Sequence, residues 1–191
     1  MPERSLEFGK FGARGIKGGE AIARQLDRLA GGITSPVTTR RGLLARLNYL
    51  TRSPRARRAA RAAGLTVTDR TLKAWQDGTR SPSPRNLRRV EDAYRQVRRR
   101  NVARHLLARL NRGGRGTRVE IHPLDQSQVV RPHQRVLEYR TMNVRRWENL
   151  VGAWADGDTA ALDEHWVGEY LSDLGSQWGS YEYVTNIGFA A

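Results

Sequence analysis

The sequence predicts an α+β protein: an all-helical N-terminal helix-turn-helix region followed by a small α+β unit of two to three short strands and two helices. Three observations predict it. Apolar residues recur at helical spacing from about residue 18 to residue 110. The stretch NRGGRG at 111–116 then interrupts the pattern. Beyond it, RVEIH (118–122) and RVLEYR (135–140) are short, alternating and rich in β-branched residues, so they read as strands.

Taken in order, residues 1–17 are rich in glycine and basic side chains without periodicity and read as a flexible basic arm. Ala21, Ile22, Leu26 and Leu29 mark a helix over 18–30, ended by Gly31-Gly32. Leu43, Leu44, Leu47 and Leu50 mark a second over 40–51. Ser53 as N-cap and Pro54 in the first turn open a third, which closes at Gly64. A short helix over 68–77 follows. Ser83 and Pro84 then start a long one that reaches about Leu110, with Leu87, Val90, Tyr94 and Val97 on one face. Together these define a helical DNA-binding domain over 18–110 and a Gly/Arg hinge at 111–117. A small α+β domain for interaction or priming follows over 118–191, with helices over 144–155 and 159–178. YEYVTNIGF near the end reads as a third strand or an ordered tail.

Charge points to a polyanionic partner. The chain has 34 Lys+Arg against 19 Asp+Glu, a net +15. Up to Arg118 there are 29 basic and 8 acidic residues, net +21; from Val119 onward there are 5 and 11, net −6. Such segregation fits a nucleic-acid-binding region joined to another module. Arginine outnumbers lysine 31 to 3, which a GC-rich genome would produce unaided. Genome bias does not explain the confinement of the charge to one end.

Other classes find little support. The chain has no cysteine, so disulfides and Cys-type zinc sites are excluded, as suits a cytoplasmic setting. The four histidines lack metal-ligand spacing, and no metal or cofactor is expected. Asp156, Asp158, Asp163 and Glu164 read as a helix end and an N-cap rather than a metal site. No stretch approaches the roughly 20 apolar residues that span a bilayer, and MPERSLEFGKFG lacks the apolar core of a secretory signal. No membrane partner is therefore expected, and the location reads as cytoplasmic and nucleoid-associated. There is no G-x-S-x-G, H-E-x-x-H or P-loop, and nothing argues for an enzyme.

The sharpest local pattern is ARRAARAAG–LTVTD–RTLKAWQDG, a helix-turn-helix over 55–77. Small residues Ala59, Ala60 and Ala63 would let a second helix cross closely. Leu65 and Val67 would plug the turn, Leu72 and Trp75 would face inward, and Thr68 would cap the second helix. Its outward face would then present Asp69, Arg70, Thr71, Lys73, Ala74 and Gln76 to a major groove. These side chains suit base and phosphate contact. Arg80, Arg85, Arg88 and Arg89 would clamp phosphates alongside. In the C-terminal half, Trp147, Trp154 and Trp166 at helical spacing read as core or as a homodimer interface.

The order of parts resembles a known family. RTLKAWQDG leads into a Pro-rich loop and a long Arg-rich helix; a Gly-Gly break, a VEI strand, RVLEYRTM and WENLVGAWADGDTAALDEHWVGEYL follow, then an aromatic tail. From about Arg57 to Tyr183 this resembles the telomere terminal proteins of linear chromosomes and plasmids in Streptomyces-type actinobacteria. The resemblance implies binding at telomeric 3′ overhangs and covalent attachment to 5′ DNA ends as a protein primer. It also implies recruitment by a telomere-binding protein and extension by a DNA polymerase from a side-chain hydroxyl. In the family that hydroxyl lies in the loop before the second strand. Here the loop is PLDQSQVVRPHQ, whose one hydroxyl is Ser127 where the family has threonine; Thr117 is the runner-up. The basic residues 1–50 and the longer turn at Gly64–Thr68 depart from the family pattern. Two other readings stand beside this one. One is a dimeric repressor or replication regulator of a mobile element bound to a palindromic operator, and the other is a nucleoid protein.

Overall fold

The computed structural model describes residues 11–190, without the side chains of 175–178. Its described helices are α1 (Gly18–Ala30), α2 (Arg40–Thr51), α3 (Pro54–Ala62), α4 (Asp69–Asp77), α5 (Pro84–Asn111), α6 (Glu148–Asp156) and α7 (Thr159–His165). Its strands are β1 (Ile16–Lys17), β2 (Thr117–His122), β3 (Arg140–Val144), β4 (Tyr183–Val184) and β5 (Asn186–Ala190). One antiparallel sheet has the order β3-β2-β5, and β1 pairs with β4 in a second. The class is α+β, as the sequence predicts.

The chain divides into two units, at boundaries other than the expected ones. Gly31–Val102 form one unit, and the flanking segments, up to Ala30 and from Ala103, form the other. The helical unit is thus an insertion within the α+β unit. Helix α1, expected in the DNA-binding domain, buries Ala21, Ile22 and Leu26 against β5 and α7 instead. Gly18 permits that approach, because a Cβ there would fall 2.1 Å from the indole nitrogen of Trp166. Asp163 accepts from the Gly19 N–H (3.1 Å) and so satisfies a free donor of the first turn. Periodicity shows that a helix has a buried face; it does not show against what.

The expected hinge at 111–117 is likewise internal to the α+β unit. Leu106 and Leu110 on the last turns of α5 are already buried. The glycines give a tight reversal, Arg112–Gly114, into β2. Of the expected arm over 1–17, the first ten residues lie outside the described residues. The remainder is paired: Arg14 bridges to Asp125, and Ile16 and Lys17 pair with Val184 and Tyr183.

In β2, Thr117, Val119 and Ile121 are buried while Arg118 faces out, matching the alternation read from the sequence. The strand expected at 135–140 forms at Arg140–Val144 instead. Ile121 pairs with Arg140, so 135–138 lie beyond the end of β2, where Pro123 has no N–H to offer. Val136 is accordingly 94% exposed. Trp147, Trp154 and Trp166 are buried in this unit's own core, and Trp147 packs edge-on against Phe189 with ring centroids 4.9 Å apart. They are therefore not available as a dimer interface. The helix expected over 159–178 loses α geometry after His165. A π turn, Trp166–Tyr170, inserts one residue per turn, so that Trp166 and Leu171 both reach the core.

The inserted unit closes around Leu43, Leu47, Leu50, Leu72, Trp75, Val90 and Val97. Beside them Arg46, only 5% exposed, pairs with Glu91 at 2.5 Å. Removing one partner of a buried pair leaves the other charge uncompensated. Glu91→Ala should therefore lower stability by about 3–5 kcal/mol, read as a fall in the denaturation midpoint of helical ellipticity. A loss below ~1 kcal/mol would show that the pair is not structurally important.

Candidate nucleic-acid interface

Helices α3 and α4 form the helix-turn-helix. Ser53 caps α3 by accepting from the Ala56 N–H (3.1 Å), with Pro54 in the first turn. Ala56 and Ala60 are buried, and Ala59 and Ala63 pack against the same core. The chain leaves α3 through Gly64 at φ +88°, a left-handed turn that swings Leu65 into the core. The Leu65 N–H donates to the Ala60 carbonyl (3.0 Å), which locks the turn. Val67 is partly buried against the cluster, so both expected plug residues serve. Thr68 then caps α4, accepting from the Thr71 N–H (3.2 Å). Leu72 and Trp75 point inward.

The outward residues separate by what holds them. Arg70 and Lys73 are exposed, and Arg70 has no ion-pair partner among the described residues. Lys73 pairs along the helix with Asp77 (3.2 Å), both side chains well exposed. Thr71 and Ala74 are half-buried. Asp69 pairs on the surface with Arg61 of α3 (2.8 Å), both side chains more than half exposed, so its negative charge has a cation beside it. Gln76 departs from expectation. Its amide donates to Asn48 Oδ1 (3.0 Å) and Thr51 Oγ1 (3.1 Å) of α2, so it faces that helix and not a groove. Arg80, Arg85 and Arg88 are exposed, and Arg89 is half-buried.

Electrostatics concentrate in this unit more sharply than a two-halves division suggests. Residues 31–102 carry 18 Lys+Arg and 4 Asp+Glu, net +14, and the remainder of the chain is nearly neutral at +1. Asp69, Asp77 and Glu91, three of the four acids, are paired with basic side chains. Sequence reading did not single out Arg40, Arg46, Asn48 or Arg61. Their contacts run between separate elements, and no local pattern announces them.

The two hydroxyls considered for covalent linkage differ. Thr117 is fully buried and donates to the Leu110 carbonyl (2.6 Å), which withdraws it as a nucleophile. Ser127 is exposed, in a turn where its N–H donates to Asp125 Oδ1 (2.9 Å). Hydrogen bonds from the Ser127 backbone and then its hydroxyl hold the Asp125 carboxyl below its ordinary range.

Among the described residues no cluster of side chains could hold a metal ion, and no helix is long and apolar enough to cross a membrane. The chain matches no protein-family model, no curated protein and no solved structure.

Gly64 offers a clean test of the turn, since a Cβ there would meet nothing within 4 Å. Any penalty must come from the left-handed backbone. Gly64→Ala should destabilise by about 1–2 kcal/mol, and Gly64→Asn, which visits that region more readily, by less. Equal midpoints for both variants and the native chain in urea titration would contradict the turn geometry.

Proposed function

We propose that the protein binds DNA through the inserted unit, with α4 in the major groove and Arg70, Thr71 and Lys73 at the base edges and phosphates. The observation that carries this is the coincidence of charge and geometry. The 72 residues of Gly31–Val102 hold net +14, and the same unit exposes a capped short helix supported from behind by Leu72 and Trp75. Arg80, Arg85 and Arg88 supply further exposed guanidinium groups for phosphate contact.

Each phosphate neutralised contributes roughly 0.9 to the slope of log K against log salt. The combined substitution of Arg70, Lys73 and Arg80 by Ala should weaken binding to duplex DNA. It should also make that slope shallower by roughly 2–3. All three residues are exposed, so the folded state should survive, as helical ellipticity would verify. Unchanged affinity and slope in a folded variant would refute the DNA reading.

Within that function we further propose that the protein primes replication at DNA ends, on the strength of its sequence resemblance and the exposed Ser127. The hydroxyl oxygen attacks the α-phosphate of a deoxynucleoside triphosphate. A phosphoester forms, the bond to the β-phosphate breaks, pyrophosphate leaves, and the hydroxyl proton passes to solvent. The polymerase supplies the catalysis, and this chain is its substrate. Incubation with a DNA polymerase, a linear-end template and labelled nucleotide should leave a covalent label on the protein. Ser127→Ala should lose the label and Ser127→Thr should keep it; a label that survives in Ser127→Ala would assign the linkage elsewhere.

A further inference from the structure

Helix α4 ends without a basic residue in its own last turn. The Ala74 carbonyl accepts from the Arg80 N–H (3.3 Å) and the Thr79 hydroxyl (3.2 Å), and the carbonyls beyond it, at the negative end of the dipole, take a donor from elsewhere. Arg40, 35 positions earlier in the chain, provides it: one guanidinium nitrogen donates to the Trp75 carbonyl at 2.5 Å, the other to the Gln76 carbonyl. The fork lies directly on the helix end, since a Cβ on Gly78 would sit 3.2 Å from Arg40 Nη2. The other end of α2 takes hold of the same turn, where Asn48 and Thr51 receive the Gln76 amide. Thr51 is itself oriented by donating to the Leu47 carbonyl (2.8 Å). The last turn of α4 is thus gripped from both ends of α2, while Arg70 and Lys73 remain exposed.

Resting on the DNA-binding reading, we propose that Arg40 is the positioning residue of the groove-reading helix. It sets the rotation and reach of α4 through the fork on its C-terminal carbonyls and makes no contact with nucleic acid itself. Gln76 belongs to the same clamp and reads no base. Sequence discrimination is left to Arg70, Thr71 and Lys73. A side chain that sets geometry should govern how well the right sequence is told from the wrong one. One that meets phosphate should govern salt dependence on any sequence.

The probes are a duplex selected by the wild-type chain from a randomised pool and a scrambled duplex of the same composition. The readouts are the ratio of the two affinities and the salt slope on the scrambled duplex. Arg40→Met should cut the ratio tenfold or more and leave the slope unchanged. Arg40→Lys keeps the charge but cannot fork across two carbonyls, so it should also lower the ratio at constant slope. Gln76→Ala should lower the ratio without changing the sequence it selects from the pool. These last two variants decide the matter if Arg40→Met does not fold. A slope reduced by roughly 0.9 in the Arg40 variants would make Arg40 a phosphate contact and overturn the proposal. So would an unchanged ratio, a new base preference in Gln76→Ala, or a wild-type ratio of one. A wild-type chain that binds neither duplex instead removes the DNA reading, and the positioning role with it.

Discussion

A guanidinium taken out of water survives only where carbonyls, a carboxylate or a ring replace its hydration, and the inserted unit is arranged to do this for Arg46. That side chain donates to the carbonyls of Ser35 (2.8 Å), Gly42 (3.0 Å) and Ile33 (3.3 Å), pairs with Glu91 and lies over the Tyr94 ring at 5.2 Å from its centroid. These partners come from the segment leading into α2, from α2 itself and from α5. Satisfying one buried charge therefore fixes three parts of the chain at once. Arg95 joins the same carboxylate at 3.0 Å, so Glu91 serves a buried cation and a surface one together. Tyr94 adds a second tie, accepting the Ile33 N–H at its hydroxyl (2.9 Å).

Because α2 is fixed by Arg46, it can act as the backing for α4. The contacts form a chain: Glu91 pairs with Arg46 of α2, and α2 grips the last turn of α4. The outward side of α4 is left with Arg70 and Lys73. This division also explains how a unit of net +14 folds. Two of its four acids pair with arginines of another helix, Asp69 on the surface between α3 and α4 and Glu91 largely buried between α2 and α5. The remaining positive charge stands in water, where high dielectric and salt weaken self-repulsion. Polyanion binding would relieve that repulsion further, which links the fold's electrostatics to the proposed partner.

Local signals were legible and long-range ones were not. Caps, periodicity and breakers placed α2, α3, α4 and α5 within one or two residues, because the leucines of α2 recur at helical spacing and Ser53 and Thr68 act on neighbours three positions along. The internal packing of the helix-turn-helix was legible for the same reason, down to Leu65, Leu72 and Trp75. The partner of α1 was not. Its apolar stripe would suit any core, and only Gly18 and Gly19 hint at a close neighbour. β3 was misplaced by about five residues because alternation in 135–140 looks identical whether or not a partner strand runs alongside. The site was half legible: Arg70 and Lys73 follow from helical phase, whereas the turning of Gln76 toward α2 depends on Asn48 and Thr51, some 25 residues away.

The same geometry bears on why arginine so far outnumbers lysine. Base composition accounts for a preference at exposed positions, where either cation would meet phosphate. It does not account for Arg40 and Arg46. Arg40 spans two successive carbonyls at a helix end, and Arg46 addresses three carbonyls and a carboxylate from a buried position. Both tasks need several donors held in one plane, which an ammonium on a flexible stem does not offer. Arginine is thus structural at Arg40 and Arg46 and electrostatic at many exposed positions. The structural pair must be in place before the others can present a shaped, and not merely charged, surface.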